Sequence, residues 1–400
     1  GALEGIRVVD FSQIYAAPLA TQMLGDMGAE VFKVEHPETG EFVRRYVSAY
    51  AEQYLKGESP LILMVNRNKK SVAVDLQAQE GKEIIYKLVQ RSDVVLSNFR
   101  PDVMARLGLD YKTLASFNPK LIYVALSGWG RSGPYEKRRG QDLLAQAMSG
   151  LMWVTGYDGL PPVPAGNPVA DHGAGHLLAI AILAALLARE RLGIGQEVYM
   201  SLLEGVVEFQ NEQSFYYLNS GFQRGRGTHG QGGSIHPAPY GIYQTKDGKW
   251  IATSGGLPDL CRALKVPDPS NDPRLDNPKK MMDNRDALHQ EIQKVFSRFT
   301  RDEALKLLEE GDAWFAPVYD YSETFSDPQV IHDQMVMEIE NPRGGTFKCV
   351  GFPIKFMGTP CEVRLRPPRL GEHTADVLAW AGYSQAQIKA LADKKVVRLV

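Results

Sequence analysis

One segment of the 400-residue chain gathers the side chains best suited to covalent chemistry. It reads PAGNPVADHGAGHLLAIAILAALLARE, with Asp171, His172 and His176 at the head of a long apolar run. Asp171 stands before a glycine-broken helix start. One account of it is structural: an N-cap aspartate accepts backbone N–H bonds and complements the helix dipole. The other is chemical. A carboxylate kept ionised by those same donors is a nucleophile, and Gly173 and Gly175 leave room for a substrate to approach it. A third account is a metal, since His172 and His176 at i and i+4 share one helix face. No further ligand is suggested nearby, and His176 fits a packed core histidine equally well, so no metal is expected.

Three other segments place cations where a ligand might sit. NRNKKSVAVDL sets Arg67, Lys69 and Lys70 just before a strand, as a solvated turn or as a cationic rim for a nucleotide phosphate. SNFRPDVMARLGLD puts Asn98, Phe99 and Arg100 at a strand's C-terminal end, the edge at which open α/β sheets bind ligands. Pro101 at a helix start explains the same pattern structurally. EKRRGQDLLAQAMSG sets Arg138 and Arg139 beside Gln141 and Asp142, which also suits a plain basic helix start. No GxGxxG follows the first strand, and no Walker A loop, GxSxG elbow or HExxH occurs.

The elements around these residues follow from hydrophobic period. Strands are expected at 6–11, 31–34, 71–76, 94–96 and 121–126, and helices after Pro18 and at 79–90. Strands alternating with helices imply a parallel sheet covered on both faces, a Rossmann-like α/β fold. Helices are expected at 142–152, 173–192 and 201–218. The Gly- and Pro-rich stretch 219–240 reads as a linker with a mobile loop at 227–236, a lid in function. A hairpin at 240–254, turning at Asp247-Gly248, and helices near 283–310 form a smaller α+β domain. The expected division is 1–220 for the first part of the large domain, 221–325 for the small one, and 326–400 returning to the large one.

Composition narrows the function. Lys+Arg is 45 and Asp+Glu 47, a balance without the footprint of a nucleic-acid or membrane binder. Three cysteines, Cys261, Cys349 and Cys361, lack CxxC spacing and fit a reduced, cytoplasmic protein. The N-terminus has no signal-peptide pattern, and the most apolar stretch, 177–188, is too short to span a bilayer.

Taken in order, the segments resemble class III CoA-transferases, the family of formyl-CoA transferase, carnitine CoA-transferase and α-methylacyl-CoA racemase. The resemblance runs from GIRVVDFSQIYAAPLATQMLGDMGAEVFKVEHPETG through NPVADHGAG and GQEVYMSLLEG to GFPIKF and RPPRLGEHT. It implies that Asp171, in the VAD segment, is the nucleophile. It implies that CoA is held by Tyr15 and Ala16 after the first strand and by His36, where relatives often have arginine. The stretch Val74, Asp75, Leu76 and Gln77 matches an adenine or ribose contact. Asn98, Phe99, Arg100 and Arg106 match the nucleotide-binding stretch, and Arg139, Gly140, Gln141 and Asp142 match residues near the thioester. Racemases of the family have histidine at the position of Gln141. Glutamine exchanges no proton at neutral pH, but it can orient a thioester carbonyl.

The resemblance therefore implies transfer of CoA from an acyl-CoA to a free carboxylic acid, by an interlocked homodimer, with the thioester as substrate and no resident cofactor. The alternatives are a racemase or an isomerase that moves CoA within one diacid, and a non-catalytic CoA-binding protein.

Overall fold

Short runs rich in β-branched residues build the sheet. Arg7–Asp10, Glu30–Glu35, Lys69–Ala73, Val94–Ser97, Ile122–Ser127 and Gln196–Ser201 form β1 to β6. Every pairing among them is parallel, in the order β3-β2-β1-β4-β5-β6. This is the Rossmann-like order, which reverses direction between β1 and β4. The computed structural model describes the chain apart from Arg224, His229, Ser234, Ser270 and Asn271. Two of these fall within the expected lid, 227–236, so that part of the expectation lies outside the described residues.

The sequence reading needs three corrections. β3 spans Lys69–Ala73 rather than 71–76, so Val74 to Gln77 lie past its end. β6, QEVYMS, closes the sheet as an edge strand; its half-exposed polar residues hide it from a hydrophobic-period reading. The long helix begins at Val169, not 173, and runs 24 residues to Leu192. By length and composition alone it is sufficient to cross a membrane, but its most apolar window is partly buried inside the protein, as a core helix is. Its face of Ala170, Ala174, Gly175, Leu178, Ala179 and Ile182 is buried, and it packs on the helices Ala16–Asp26 and Leu202–Phe209.

The chain divides into two compact units: Gly1–Met148, Asn167–Phe209 and Gln329–Val400 in one, Ser149–Gly166 and Gln210–Pro328 in the other. In the first unit, the helices Thr374–Trp380 and Gln385–Asp393 bury Val377, Leu378 and Ile388 in the same core as Phe32, Val72 and Val74. The hairpin of β10 (Val336–Glu340) and β11 (Thr346–Val350) places Ile339 and Phe347 against Leu63. The second unit has an antiparallel sheet of β7 (Gly241–Gln244), β8 (Trp250–Ser254) and β9 (Trp314–Pro317). Its helices Arg285–Phe296 and Arg301–Glu310 contribute Ile292, Phe296 and Leu308 to the core around Tyr243.

The expected cationic rim at 67–70 is neither a rim nor a solvated turn. Arg67 is buried and forks onto Asp26. Lys70 pairs with Glu30 at 2.6 Å. Lys69 is fully buried, donating to Asp10 Oδ2 at 3.1 Å and to the Pro18 carbonyl at 2.8 Å. Around it lie Lys33, bonded to Glu41 at 3.1 Å, and Arg44, forked onto Glu35. Burying a charge is costly unless it is paired, and these three cations and three carboxylates pair one another. Burial pushes Lys69 down to about 8. Burial raises Glu35, but Arg44, Lys33 and the Ser71 hydroxyl together outweigh it and leave Glu35 at about 2.

Candidate active site

The reversal of strand order between β1 and β4 opens a crevice at the C-terminal edge of the sheet, and two loops form its lips. The loop after β1 carries Tyr15 and leads into Ala16, which opens the following helix; the loop after β4 carries Asn98, Phe99 and Arg100. They are latched together: the Gln13 N–H donates to Asn98 Oδ1 at 2.8 Å, and Asn98 Nδ2 donates to the Gln13 carbonyl at 2.7 Å. The first loop is also tied to the charged interior. Lys33 Nζ donates to the Ser12 carbonyl at 3.0 Å, and the Ile14 N–H donates to Glu41 Oε2 at 3.0 Å. Ile14 has φ +72°, a left-handed backbone that a β-branched side chain rarely adopts. Strain of this kind, about 1–3 kcal/mol, persists where the surroundings over-determine it, and it concentrates at functional sites.

Beyond Ile14, Tyr15 caps the helix Ala16–Asp26. Its hydroxyl lies 3.2 Å from Nδ1 of His172. The crevice loop thus reaches the residue next to Asp171. The first helix and the long helix pack closely because position 175 is glycine: a Cβ there would sit 2.9 Å from the Ala16 carbonyl oxygen and from Leu19 Cδ2. Gly175 therefore serves helix packing rather than substrate access. Gly173 is the opening, since a Cβ there would meet nothing within 4 Å.

Asp171 is not the N-cap. Pro168 holds that position, and Asp171 lies in the first helical turn. The cap comes from elsewhere: Asp142 Oδ1 accepts the N–H of Ala170 at 2.7 Å and of Asp171 at 3.1 Å. Asp142 opens the helix Asp142–Met148, and Gln146 Nε2 donates to its second oxygen at 2.6 Å. Burial and then the charge of Asp142 raise Asp171 to about 7. The expected cause of a low value, donation from the helix end to Asp171, is spent on Asp142. The Asp171 carboxyl is half-buried, poorly solvated and reluctant to ionise.

Position 142 is set by the end of β5. Gly128 and Gly140 touch backbone to backbone, so that a Cβ on Gly128 would lie 2.6 Å from Gly140 Cα. Trp129 Nε1 donates to the Arg139 carbonyl at 3.0 Å across the same loop. Arg139 and Gln141 are exposed, and the Gln141 carbonyl starts the helix by accepting from Leu144 and Ala145.

The remaining expected CoA contacts divide. His36 is exposed just beyond β2, its Nδ1 accepting the N–H of Glu38 at 3.2 Å. Val74 is core, 1% exposed, with its N–H given to the Glu35 carbonyl, so its side chain makes no ligand contact. Asp75 and Leu76 are partly exposed and Gln77 is exposed. Phe99 and Arg100 line a cavity of about 120 Å³ with Tyr111, Tyr123, Arg131 and Tyr199. Arg106 is exposed and pairs with Asp102 at 3.2 Å. Among the described residues no group of three metal-ligating side chains is placed to hold a metal ion. His172 and His176 lie ring to ring at 4.8 Å, with Nδ1 of one on Tyr15 and Nδ1 of the other on the His172 carbonyl.

A sequence model described as CoA-transferase family III matches residues 3–374. The chain belongs to that family. It is 36% identical to an acyl-CoA transferase of Fusarium pseudograminearum, over 99% of this chain and 88% of the relative. It is 35% identical to a succinate–glutarate CoA-transferase of Agrobacterium fabrum, over 94% and 95%. Among solved structures it resembles a CAIB/BAIF family protein from Brucella suis, with a TM-score of 0.80 and 31% identity over 95% of this chain and 99% of that one. It also resembles Rv3272 from M. tuberculosis, with a TM-score of 0.81 and 32% identity over 93% and 98%. As a family III member the chain is a CoA-transferase. Sequence reasoning missed three parts of this CoA-transferase's site: the cap from Asp142, the tie of His172 to Tyr15, and the strain at Ile14. Only the GQD segment carried a signal for any of them, because its role depends on a partner 29 residues away.

Proposed function

We propose that this CoA-transferase moves CoA from succinyl-CoA to a second dicarboxylic acid through covalent intermediates on Asp171. The observation that carries the reading is the 3.2 Å tie from Tyr15, on the crevice loop, to His172, beside Asp171. It joins the ligand edge of the sheet to a half-buried carboxylate with open space at Gly173. The choice of diacids is supported by the names of relatives, which include succinyl-CoA:glutarate CoA-transferase of Homo sapiens, 31% identical over 94% of this chain.

An Asp171 oxygen attacks the thioester carbonyl and the C–S bond breaks, giving an acyl-aspartyl anhydride and CoA thiolate. The thiolate attacks the aspartyl carbonyl, releasing the donor acid and leaving aspartyl-CoA thioester. The acceptor carboxylate attacks that thioester, the thiolate returns to the new anhydride at its acyl carbon, and Asp171 is regenerated. Splitting one exchange this way replaces a difficult step with easier ones. No atom changes oxidation state in these acyl exchanges, so the chemistry needs no redox group. Gln141 orients the thioester carbonyl, and having no group that titrates near neutral pH it supports transfer over racemisation. CoA lies along Tyr15, Ala16, His36, Asp75–Gln77, Asn98–Arg100 and Arg106, with Arg139 and Gly140 near the thioester.

The working form is a homodimer of interlocked chains in the cytoplasm. Support for assembly comes from large apolar side chains left exposed, Val207 and Phe209 in one unit and Phe215, Tyr217 and Leu218 in the other. Light scattering that returns one chain's mass would overturn the dimer. The chemistry is tested by incubating the protein with succinyl-CoA and quenching with hydroxylamine. A hydroxamate on Asp171 is expected in mass spectra, with none in Asp171→Ala, which keeps its fold and loses transfer. An unmodified Asp171 in the active protein defeats the covalent mechanism.

A further inference from the structure

The backbone between β1 and the helix Ala16–Asp26 is gripped group by group. The Ser12 N–H donates to Asp10 Oδ1 at 2.9 Å, and the Ser12 carbonyl accepts from Lys33 Nζ at 3.0 Å. Asn98 takes both polar groups of Gln13, and Glu41 Oε2 takes the Ile14 N–H. Asp10, Lys33 and Glu41 are each at most 2% exposed. Buried ion pairs add little stability over apolar side chains of the same shape, so the sheet alone does not account for them. Glu41 reaches furthest. Its Oε1 pairs with Lys33 at 3.1 Å, and its own N–H donates to Glu35 Oε1 at 3.3 Å. It therefore stands at the end of the loop after β2, which starts at His36 and closes where the Gly40 N–H donates to the His36 carbonyl at 2.9 Å. One carboxylate joins the loop that carries His36 to the loop that carries Tyr15. The residue it grips there is Ile14, whose φ of +72° a β-branched side chain does not keep unaided.

We infer that the buried pair of Glu41 and Lys33 positions the loops after β1 and β2 to receive CoA, and so sets affinity for the thioester rather than the rate of acyl exchange. Glu41 keeps Ile14 in the left-handed backbone, and Lys33 holds the Ser12 carbonyl. The turn between these two bonds delivers Tyr15 and Ala16 to the crevice. Neither Glu41 nor Lys33 touches the ligand; both act through the backbone they hold. Without them Ile14 relaxes to negative φ, and the loop samples several conformations of which one binds. Apparent affinity then falls by the fraction of molecules in that conformation. At saturating thioester the chemical step on the long helix proceeds as before.

The inference rests on CoA lying along Tyr15, Ala16 and His36, and its test separates the two. Binding of CoA to the full-length protein is measured by calorimetry beside steady-state kinetics with succinyl-CoA. Glu41→Ala alone leaves a buried ammonium without its partner and lowers the melting temperature, so the deciding variants change both residues. Lys33→Met/Glu41→Leu exchanges the ion pair for apolar groups, which is often neutral for stability, and removes both bonds to the loop. It is expected to raise the Kd of CoA and the KM of succinyl-CoA about tenfold, with kcat changed by less than about twofold. Lys33→Met/Glu41→Gln, whose amide oxygen still accepts the Ile14 N–H, is expected to raise them only about threefold. Circular dichroism identifies the variants that fold. A wild-type Kd in either folded double variant overturns the inference, and so does a loss confined to kcat. In both cases CoA bound by the wild-type protein leaves the CoA site standing. Wild-type protein that binds no CoA overturns both.

Discussion

At the scale of the residue, the candidate site withholds solvation from one carboxylate. Asp171 is raised to about 7 by burial and by Asp142. In its proposed role as nucleophile Asp171 must be ionised, so kcat/KM is expected to climb as pH rises through about 7 and to level above it. Asp142→Asn keeps an oxygen for the N–H groups of Ala170 and Asp171 but removes the charge. The rise should then move to lower pH, and an unmoved profile would exclude Asp142 as its cause. The same shift affects stability. Between 3.8, the ordinary value, and 7, folded Asp171 keeps a proton that the unfolded chain has lost, so its presence becomes more destabilising as pH rises across that window. Asp171→Asn should therefore raise the melting temperature at pH 8 and change it little at pH 4. Asp171 itself was legible in the sequence, because acid, glycines and apolar helix are adjacent. Its environment was not, because Asp142 reaches it, and Tyr15 its neighbour His172, only through folding.

At the scale of the element, two glycines of one helix turn have opposite duties. Gly175 admits the Ala16 carbonyl and Leu19, whereas Gly173 faces open space. Gly175→Val should destabilise the protein by about 1–3 kcal/mol through overpacking, read by denaturant unfolding. Gly173→Ala should leave stability intact or improved, since alanine favours helix by about 1 kcal/mol, while slowing transfer by narrowing the approach to Asp171. Equal melting points for the two variants would contradict this division. The buried strands were legible because both faces are covered and most carry short apolar runs, such as Val8-Val9 and Val94–Leu96. β6 was not, since an edge strand with Gln196 and Glu197 has no such pattern. The start of the long helix was misplaced for a similar reason: its cap is a side chain supplied by Asp142 rather than by a neighbour in sequence.

At the scale of the whole molecule, the parallel sheet followed from alternating strands and helices, but the charges beneath it did not. Lys69 and Arg67 look like surface cations in a string of polar residues, and only the fold reveals that Asp10 and Asp26 wait for them inside. Glu35, held at about 2 against an ordinary 4.5, contributes stability that is whole above pH 4.5 and is lost as pH falls toward 2. Acid titration followed by circular dichroism should show unfolding within that window, and Glu35→Gln should flatten it. The reciprocal bonds between Gln13 and Asn98 have a consequence of their own. The mouth of the cleft is already set before any cofactor-sized guest arrives, so entry is docking rather than moulding. The Gln13 amide should exchange with deuterium equally slowly in the empty and the loaded protein, a keyhole cut in advance of its key.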